Sequence, residues 1–158
     1  MRVPKNMHLK KKLSEYMEML DKAMYTFNYS YEKCKEIGIK EKYSYEELDK
    51  FESLSSRFAR ICYILTQKIL KNIFLLLRED AKTFIDRINL AEKLEIIPGA
   101  EQLKIIRDLR NEITHEYCMD DITEIFKNVL EYSEALLETV EKVKIYVSDK
   151  KMILEIKE

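Results

Sequence analysis

A chain of 158 residues is the size of one domain, since domains hold about 100–200 residues. Only two glycines and two prolines are present, against roughly 7% and 5% in average proteins, which excludes the many tight turns of a β-sandwich or barrel. The formal net charge of −1 argues against a protein that coats nucleic acid over its whole surface, although it allows a local basic patch. The composition therefore predicts an all-α protein with long helices and few connections.

The cysteines and the N-terminus give no sign of secretion, of a metal site or of a membrane. Cys34, Cys62 and Cys118 are odd in number and lack Cys-x-x-Cys spacing, and the first two are predicted to be reduced core residues. The basic start, MRVPKNMHLKKK, has no apolar stretch behind it, and no run approaches the ~18 apolar residues of a membrane span. We expect a soluble cytoplasmic protein with no cofactor, no metal and no membrane contact.

Apolar residues recur at spacings of three and four, which predicts an up-and-down bundle of four to five helices. The first helix is predicted from about residue 6 to 36, with Gly38 as its stop. A capping box of Ser44 and Glu47 starts the second helix. That helix runs into residues 73–77, IFLLL, a segment apolar all round that is either deeply buried or shared with a second subunit.

In the second half of the chain, the sequence marks the ends of the helices less clearly. Thr83 is predicted to cap a short helix, and Pro98 is predicted in the first turn of the next one. Residues 148–158 alternate like a short strand without a partner strand, so they are left as a tail of uncertain structure. Residues 1–158 are predicted to form a single helical domain.

Helix packing does not explain the polar end of the fourth long helix. Its outer side presents Lys104, Arg107, Asp108, Asn111 and His115. Of these, residues 107, 111 and 115 are successive i, i+4 neighbours. Arg110 lies five residues before His115, which places the two side chains roughly 140° apart around an ideal helix. A site that uses both must therefore be completed from outside this helix.

These residue types suit phosphodiester chemistry in RNA without a metal. Histidine exchanges protons near neutral pH, and arginine offers a planar fork of donors to phosphate oxygens. Asn111 could orient the imidazole or contact the substrate, while Arg107 and Lys104 are candidate ligands for RNA phosphates. Spacing alone favours a simpler interpretation, in which a solvated helix end carries a histidine stabilised by the helix dipole.

The sequence leaves the role of two further arginines open and favours a structural role for three tyrosines. Arg57 and Arg60 lie beside the apolar stripe of the second helix, where they either line a cleft or cover the core. Tyr25, Tyr29 and Tyr31 are predicted to pack against the bundle rather than to stack on bases.

Residues 110–117, RNEITHEY, resemble the motif of HEPN domains (higher eukaryotes and prokaryotes nucleotide-binding). In that motif an arginine and a polar residue precede a histidine by a few positions, as Arg110, Asn111 and His115 do here. Tyr117 extends the pattern to Arg-x4-His-x-Tyr, which is similar to HEPN toxins encoded beside minimal nucleotidyltransferase (MNT) antitoxins. The position of the motif, late in an all-helical domain and before another long helix, also agrees with that family.

The resemblance implies an HEPN-like fold and a toxin of a toxin–antitoxin pair. Such a protein would be a metal-independent endoribonuclease that acts as a homodimer, with the motifs of two subunits meeting in a cleft. Arg110 and His115 would be catalytic, and Asn111 would assist. Tyr117 would be the residue to which the cognate nucleotidyltransferase adds AMP, which places negative charge and bulk beside the RNA.

Two alternatives remain open from the sequence. The chain could be a non-catalytic helical partner that binds a minimal nucleotidyltransferase or presents substrate to it, which the near-neutral charge also fits. It could instead be a helical adaptor in which the motif is coincidental.

Overall fold

The computed structural model describes residues 5–115 and 122–153, and within these ranges the chain is helical and has no strand. The helices follow one another in this order: α1 (Lys5–Ile37), α2 (Tyr45–Tyr63), a π-helical segment (Ile64–Ile69), α3 (Leu70–Leu77), α4 (Phe84–Lys93), α5 (Ala100–His115) and α6 (Ile122–Asp149). The predicted all-α bundle is confirmed. Because the π-helical segment joins α2 to α3 without a break, the described part contains four long rods and the short helix α4.

The first two rods run antiparallel. Near one end the Asn72 side-chain amide donates to the Leu9 carbonyl at 3.3 Å, and near the other end the Cys34 thiol donates to the Lys50 carbonyl at 3.4 Å. α6 runs antiparallel to α1, because Lys144 is paired to Asp21 at 2.6 Å while Glu134, earlier on α6, interacts with Tyr31, later on α1. α5 packs against α2, α4 and α6.

The core consists of aliphatic and aromatic side chains from all the long rods. In the first half of α2, the ring of Phe51 stacks on the ring of Phe126 of α6, with the ring centroids 5.0 Å apart. Tyr43, in the loop before α2, packs against both rings. Phe51 and Phe126 are almost fully buried. These rings join α2, α6 and the loop before α2 near the start of α6.

The predicted start of the second helix and stop of the first helix are both confirmed. Ser44 Oγ accepts from the Glu47 amide at 3.2 Å, and Glu47 Oε1 accepts from the Ser44 amide at 2.9 Å. Gly38 takes a φ of 73°, in the left-handed region, and its amide donates to the Cys34 carbonyl at 2.9 Å. A glycine suits this position because it has no Cβ to clash in a left-handed conformation.

At three other helix ends, a residue other than glycine takes the left-handed backbone conformation. Arg78, Glu95 and Lys151 have φ angles of 57°, 60° and 52°. The residue after each donates its amide to a carbonyl five positions earlier, for example Met152 to Val147 at 3.0 Å. This is the Schellman pattern, and the burial of Met152 supplies its usual apolar contact. Residues 148 and 149, assigned from sequence to the uncertain tail, therefore belong to α6.

One sequence-based expectation differs from the structure, and one feature of the structure was not expected. Pro98 lies before the helix rather than in its first turn, since α5 begins at Ala100 and the Gly99 carbonyl accepts the Leu103 amide at 3.4 Å. The π-helical segment was not expected. In it the Leu70 amide reaches back five residues to the Leu65 carbonyl, and apolar periodicity does not distinguish this turn from an α-helical one.

The apolar run at residues 73–77 is only partly buried. Ile73 and Phe74 lie in the core, whereas Leu75 is 57% exposed and the next two leucines are half-buried. Part of this run is therefore available to another surface. None of the described helices is long and apolar enough to cross a membrane.

The capping box supports a testable prediction about α2. Ser44→Ala removes the oxygen that accepts the Glu47 amide, so we expect the free energy of unfolding to fall by about 1 kcal/mol. Ser56→Ala, a change at an exposed position inside the same helix, is the matched control and should change stability little. Urea denaturation of both variants measures the difference, and equal stabilities would contradict this role of the capping box.

Candidate functional site

The polar motif begins on the last turns of α5, which is held by its apolar side. Leu103, Ile106 and Leu109 are buried, as the predicted stripe requires, and Ile113 is half-buried. On α2, Cys62 shares a helix face with the small residues Ser55 and Ala59, at spacings of three and four. Small side chains there leave room for the longer side chains of α5.

Arg110 points toward this face of α2. Burial raises the pKa of the Cys62 thiol to about 11, and the positive charges of Arg110 and Arg107 oppose that shift. Both guanidinium groups therefore lie near Cys62. The Nε atom of Arg110 is buried and has no hydrogen-bond partner among the described residues. An unsatisfied buried donor of this kind destabilises a fold and calls for an explanation.

Arg107 is held by neighbours on its own side of the bundle. Its guanidinium lies over the ring of Phe84 at 4.2 Å from the centroid, and its Nε is 3.2 Å from Asp108 Oδ1. The side chain is 27% exposed. Arg107 thus ties α5 to the start of α4, and it still has guanidinium donors that these two contacts do not use.

The other predicted site residues on α5 lie toward solvent. Lys104 and His115 are exposed, and Asn111 is half-buried. His115 is in the last turn of α5, where a positive charge is favoured by the helix dipole. The Thr114 hydroxyl donates to the Arg110 carbonyl at 2.9 Å, which holds one carbonyl in this final turn.

Arg110 and His115 therefore leave α5 in different directions. Arg110 is half-buried toward α2, whereas His115 is exposed, in agreement with the roughly 140° that separates them on an ideal helix. Tyr117, the predicted site of AMP addition, lies outside the described residues.

Sequence reasoning missed a groove between α5 and α6. It has a volume of about 240 Å³ and is lined by Ile105, Asp108, Leu109, Glu112, Asn128 and Tyr132. Two carboxylates and no cation are among its lining residues, and one of the carboxylates, Asp108, is paired with Arg107. The groove therefore offers an RNA phosphate no cation of its own, while Arg107 and Arg110 lie on the flank of α5 toward α2.

Within residues 5–115 and 122–153, no three His, Cys, Asp or Glu side chains gather closely enough to hold a metal ion. Cys34 and Cys62 are both buried and free, as predicted.

Comparisons of the chain with protein-family models, with curated proteins and with solved structures find no match. The resemblance to HEPN toxins therefore rests on the eight residues 110–117 and on the all-helical architecture that surrounds them.

The buried guanidinium of Arg110 leads to a prediction about stability. Arg110→Met keeps much of the aliphatic packing and removes the unpartnered donor, so we expect the free energy of unfolding to rise by about 1 kcal/mol. Arg107→Met removes the interactions with Phe84 and Asp108 and should instead lower it. Thermal or urea unfolding of the two variants provides the measurement. A fall in stability in Arg110→Met equal to that in Arg107→Met would contradict this interpretation of Arg110.

Proposed function

We propose that this chain is a metal-independent endoribonuclease whose catalytic groups, Arg110 and His115, meet between two copies of the chain. It would serve as the toxin of a toxin–antitoxin pair that a cognate minimal nucleotidyltransferase neutralises. The observation that carries the proposal is the arrangement at the end of α5. There an arginine with an unsatisfied buried donor and an exposed histidine share one motif but diverge around the helix.

The reaction that these groups suit is transesterification within RNA. The 2′-oxygen attacks phosphorus while the bond from phosphorus to the 5′-oxygen breaks, which leaves a cyclic phosphate and a free 5′-hydroxyl. His115 takes the proton of the 2′-hydroxyl or gives one to the leaving oxygen. Arg110 stabilises the charge that develops on the phosphorane-like transition state. Asn111, one residue from Arg110 and one turn before His115, orients the imidazole or contacts the substrate.

The remaining cations on α5 would bind the RNA backbone. Lys104 is exposed and has no ion pair among the described residues, so its ammonium group is available for a phosphate. Arg107 is partly shielded by Phe84 and Asp108, which fixes its direction and leaves its other donors for a phosphate oxygen.

A second copy of the chain would supply the missing half of the site. One α5 cannot direct Arg110 and His115 at the same phosphate, whereas two α5 ends in one cleft can pair the arginine of one copy with the histidine of the other. Exposed apolar residues near the end of α3 and the start of α4, Leu75 and Ile85, add surface that a subunit interface could bury.

Neutralisation by AMP follows from the same arrangement. Tyr117 is two residues beyond His115 in sequence, so an AMP group on its hydroxyl would bring a phosphate close to the histidine. That phosphate repels the RNA backbone and occupies the place of the scissile phosphate.

Cleavage of a labelled RNA by the purified protein in excess EDTA tests the proposal. We expect the wild type to cut, and His115→Ala and Arg110→Ala to cut about 10²–10⁴-fold more slowly, since each removes a group that acts in the transition state. Gln102→Ala, an exposed change two turns earlier on α5, is the control and should cut at the wild-type rate.

Equal rates for wild type and His115→Ala would contradict the proposal, as would cleavage that requires an added divalent cation. An inactive wild type that co-purifies stably with a nucleotidyltransferase would favour the non-catalytic partner instead.

A further inference from the structure

A groove between α1 and α2 lies away from the motif on α5. It has a volume of about 210 Å³, and its lining residues are Tyr29, Ser30, Lys33, Asp49, Lys50, Ser53 and Arg57. We call it the α1–α2 groove. Arg57 and Cys62 are five residues apart on α2 and so point roughly 140° away from each other. The α1–α2 groove and the neighbours of Arg110 thus lie on opposite flanks of the same helix.

The α1–α2 groove carries a net positive charge that the chain as a whole does not have. Three of its lining residues, Lys33, Lys50 and Arg57, are cationic and one, Asp49, is acidic. None of the three cations belongs to an ion pair in the described part of the chain, whereas five other cations do. Asp49 balances at most one of these three positive charges, and an anion bound in the groove would reduce the repulsion between the cations.

One of these cations is already fixed in position. Arg57 Nη1 donates to the Thr26 carbonyl at 3.3 Å and to the Ser30 hydroxyl. Both bonds use the same nitrogen, so Nη2 and Nε keep their donors for another acceptor. The sequence left open whether Arg57 lines a cleft or covers the core, and the structure gives it a place in the wall of this groove. A guanidinium held in this way loses little conformational entropy when it binds a phosphate.

Exposed aromatic rings stand beside the cations. Tyr29 is 64% exposed and lines the groove, and Tyr25, one turn earlier, is 82% exposed. Only Tyr31, among the three tyrosines expected to pack, is buried. The Lys33 ammonium lies 5.8 Å from the centroid of the Tyr29 ring. Tyr25, Tyr29 and Lys33 follow one another at intervals of four residues, about 6 Å along the helix axis.

We propose that the α1–α2 groove binds a single strand of RNA, with phosphates on Lys33, Lys50 and Arg57 and a base stacked on Tyr29. Cations that follow a backbone, interleaved with exposed rings that accept any base, are the usual means of holding single-stranded nucleic acid. Ion pairing with an acidic protein would use the cations alone, whereas single-stranded RNA would use the cations and the exposed rings together. The choice of RNA rests on the proposed function, and the groove would hold the substrate strand at a distance from the bond that is cut.

Fluorescence anisotropy with a labelled oligouridylate tests the groove directly. All proteins carry His115→Ala so that the probe is not cleaved. Adding Lys33→Ala and Lys50→Ala together should weaken binding about tenfold. Each phosphate that these lysines no longer neutralise should also reduce the slope of log affinity against log salt by about 0.7. Lys71→Ala with Lys93→Ala removes the same charge from exposed positions on α3 and α4, and it should change neither quantity.

The aromatic part of the proposal has its own pair of variants. Tyr29→Ala should weaken binding about tenfold because it removes the stacking ring, while Tyr29→Phe keeps the ring and should bind like the parent. Tyr45→Ala, at a tyrosine that is 88% exposed on α2, is the control for removal of any surface ring and should leave binding unchanged.

The possible outcomes test RNA binding in the groove independently of the proposed RNA cleavage. Unchanged RNA affinity and salt dependence in the Lys33 and Lys50 double variant would overturn the groove, even if His115→Ala abolishes cleavage. Weaker binding in the groove variants, together with a wild type that does not cut RNA, would support the groove and contradict the ribonuclease. Groove variants that bind oligouridylate normally but no longer bind labelled polyglutamate would assign the surface to an acidic protein and overturn the proposal.

Discussion

The packing of α5 against α2 is the constraint on which the candidate site depends. The apolar stripe of α5 must face the core, and this fixes the rotation of the helix about its axis. Once that rotation is fixed, Arg110 points toward Cys62 on α2 and His115 is left exposed in the last turn. The same packing buries the Nε atom of Arg110 without a partner among the described residues. Since Arg110 and His115 diverge around α5, the proposed ribonuclease would need a second subunit to bring the two side chains to one phosphate.

Positive and negative side chains are concentrated in different places on this protein, which the net charge of −1 does not show. The groove between α5 and α6 contains two carboxylates, Asp108 and Glu112, and no cation. The α1–α2 groove contains three cations and one carboxylate. Because Asp108 is paired with Arg107 and the three cations of the α1–α2 groove have no ion pair among the described residues, a polyanion would be attracted more strongly to the α1–α2 groove.

Local signals could be identified in the sequence because they depend on neighbours in the chain. The capping box at Ser44 and the stop at Gly38 are of this kind, and the apolar stripe of α5 follows from periodicity alone. Features that depend on tertiary packing could not be predicted from the sequence. The apolar spacing at residues 64–69, for example, is compatible with either an α-helical or a π-helical turn. By contrast, helical periodicity does separate the buried Tyr31, which lies between Phe27 and Cys34 on the apolar stripe of α1, from the exposed Tyr29, which lies off that stripe. Within the candidate site, the residues of the motif could be named from sequence, but the buried Nε of Arg110 and its proximity to Cys62 depend on α2.

The central claim is that Arg110 of one copy works with His115 of the other. Mixing Arg110→Ala and His115→Ala proteins after dissociation and reassociation tests this most directly, because each is expected to be inactive alone. Half of the reassociated dimers are heterodimers with one intact pair of groups, so we expect about a quarter of wild-type RNA cleavage. Cleavage no higher than that of either variant alone, with heterodimers shown to form, would contradict it.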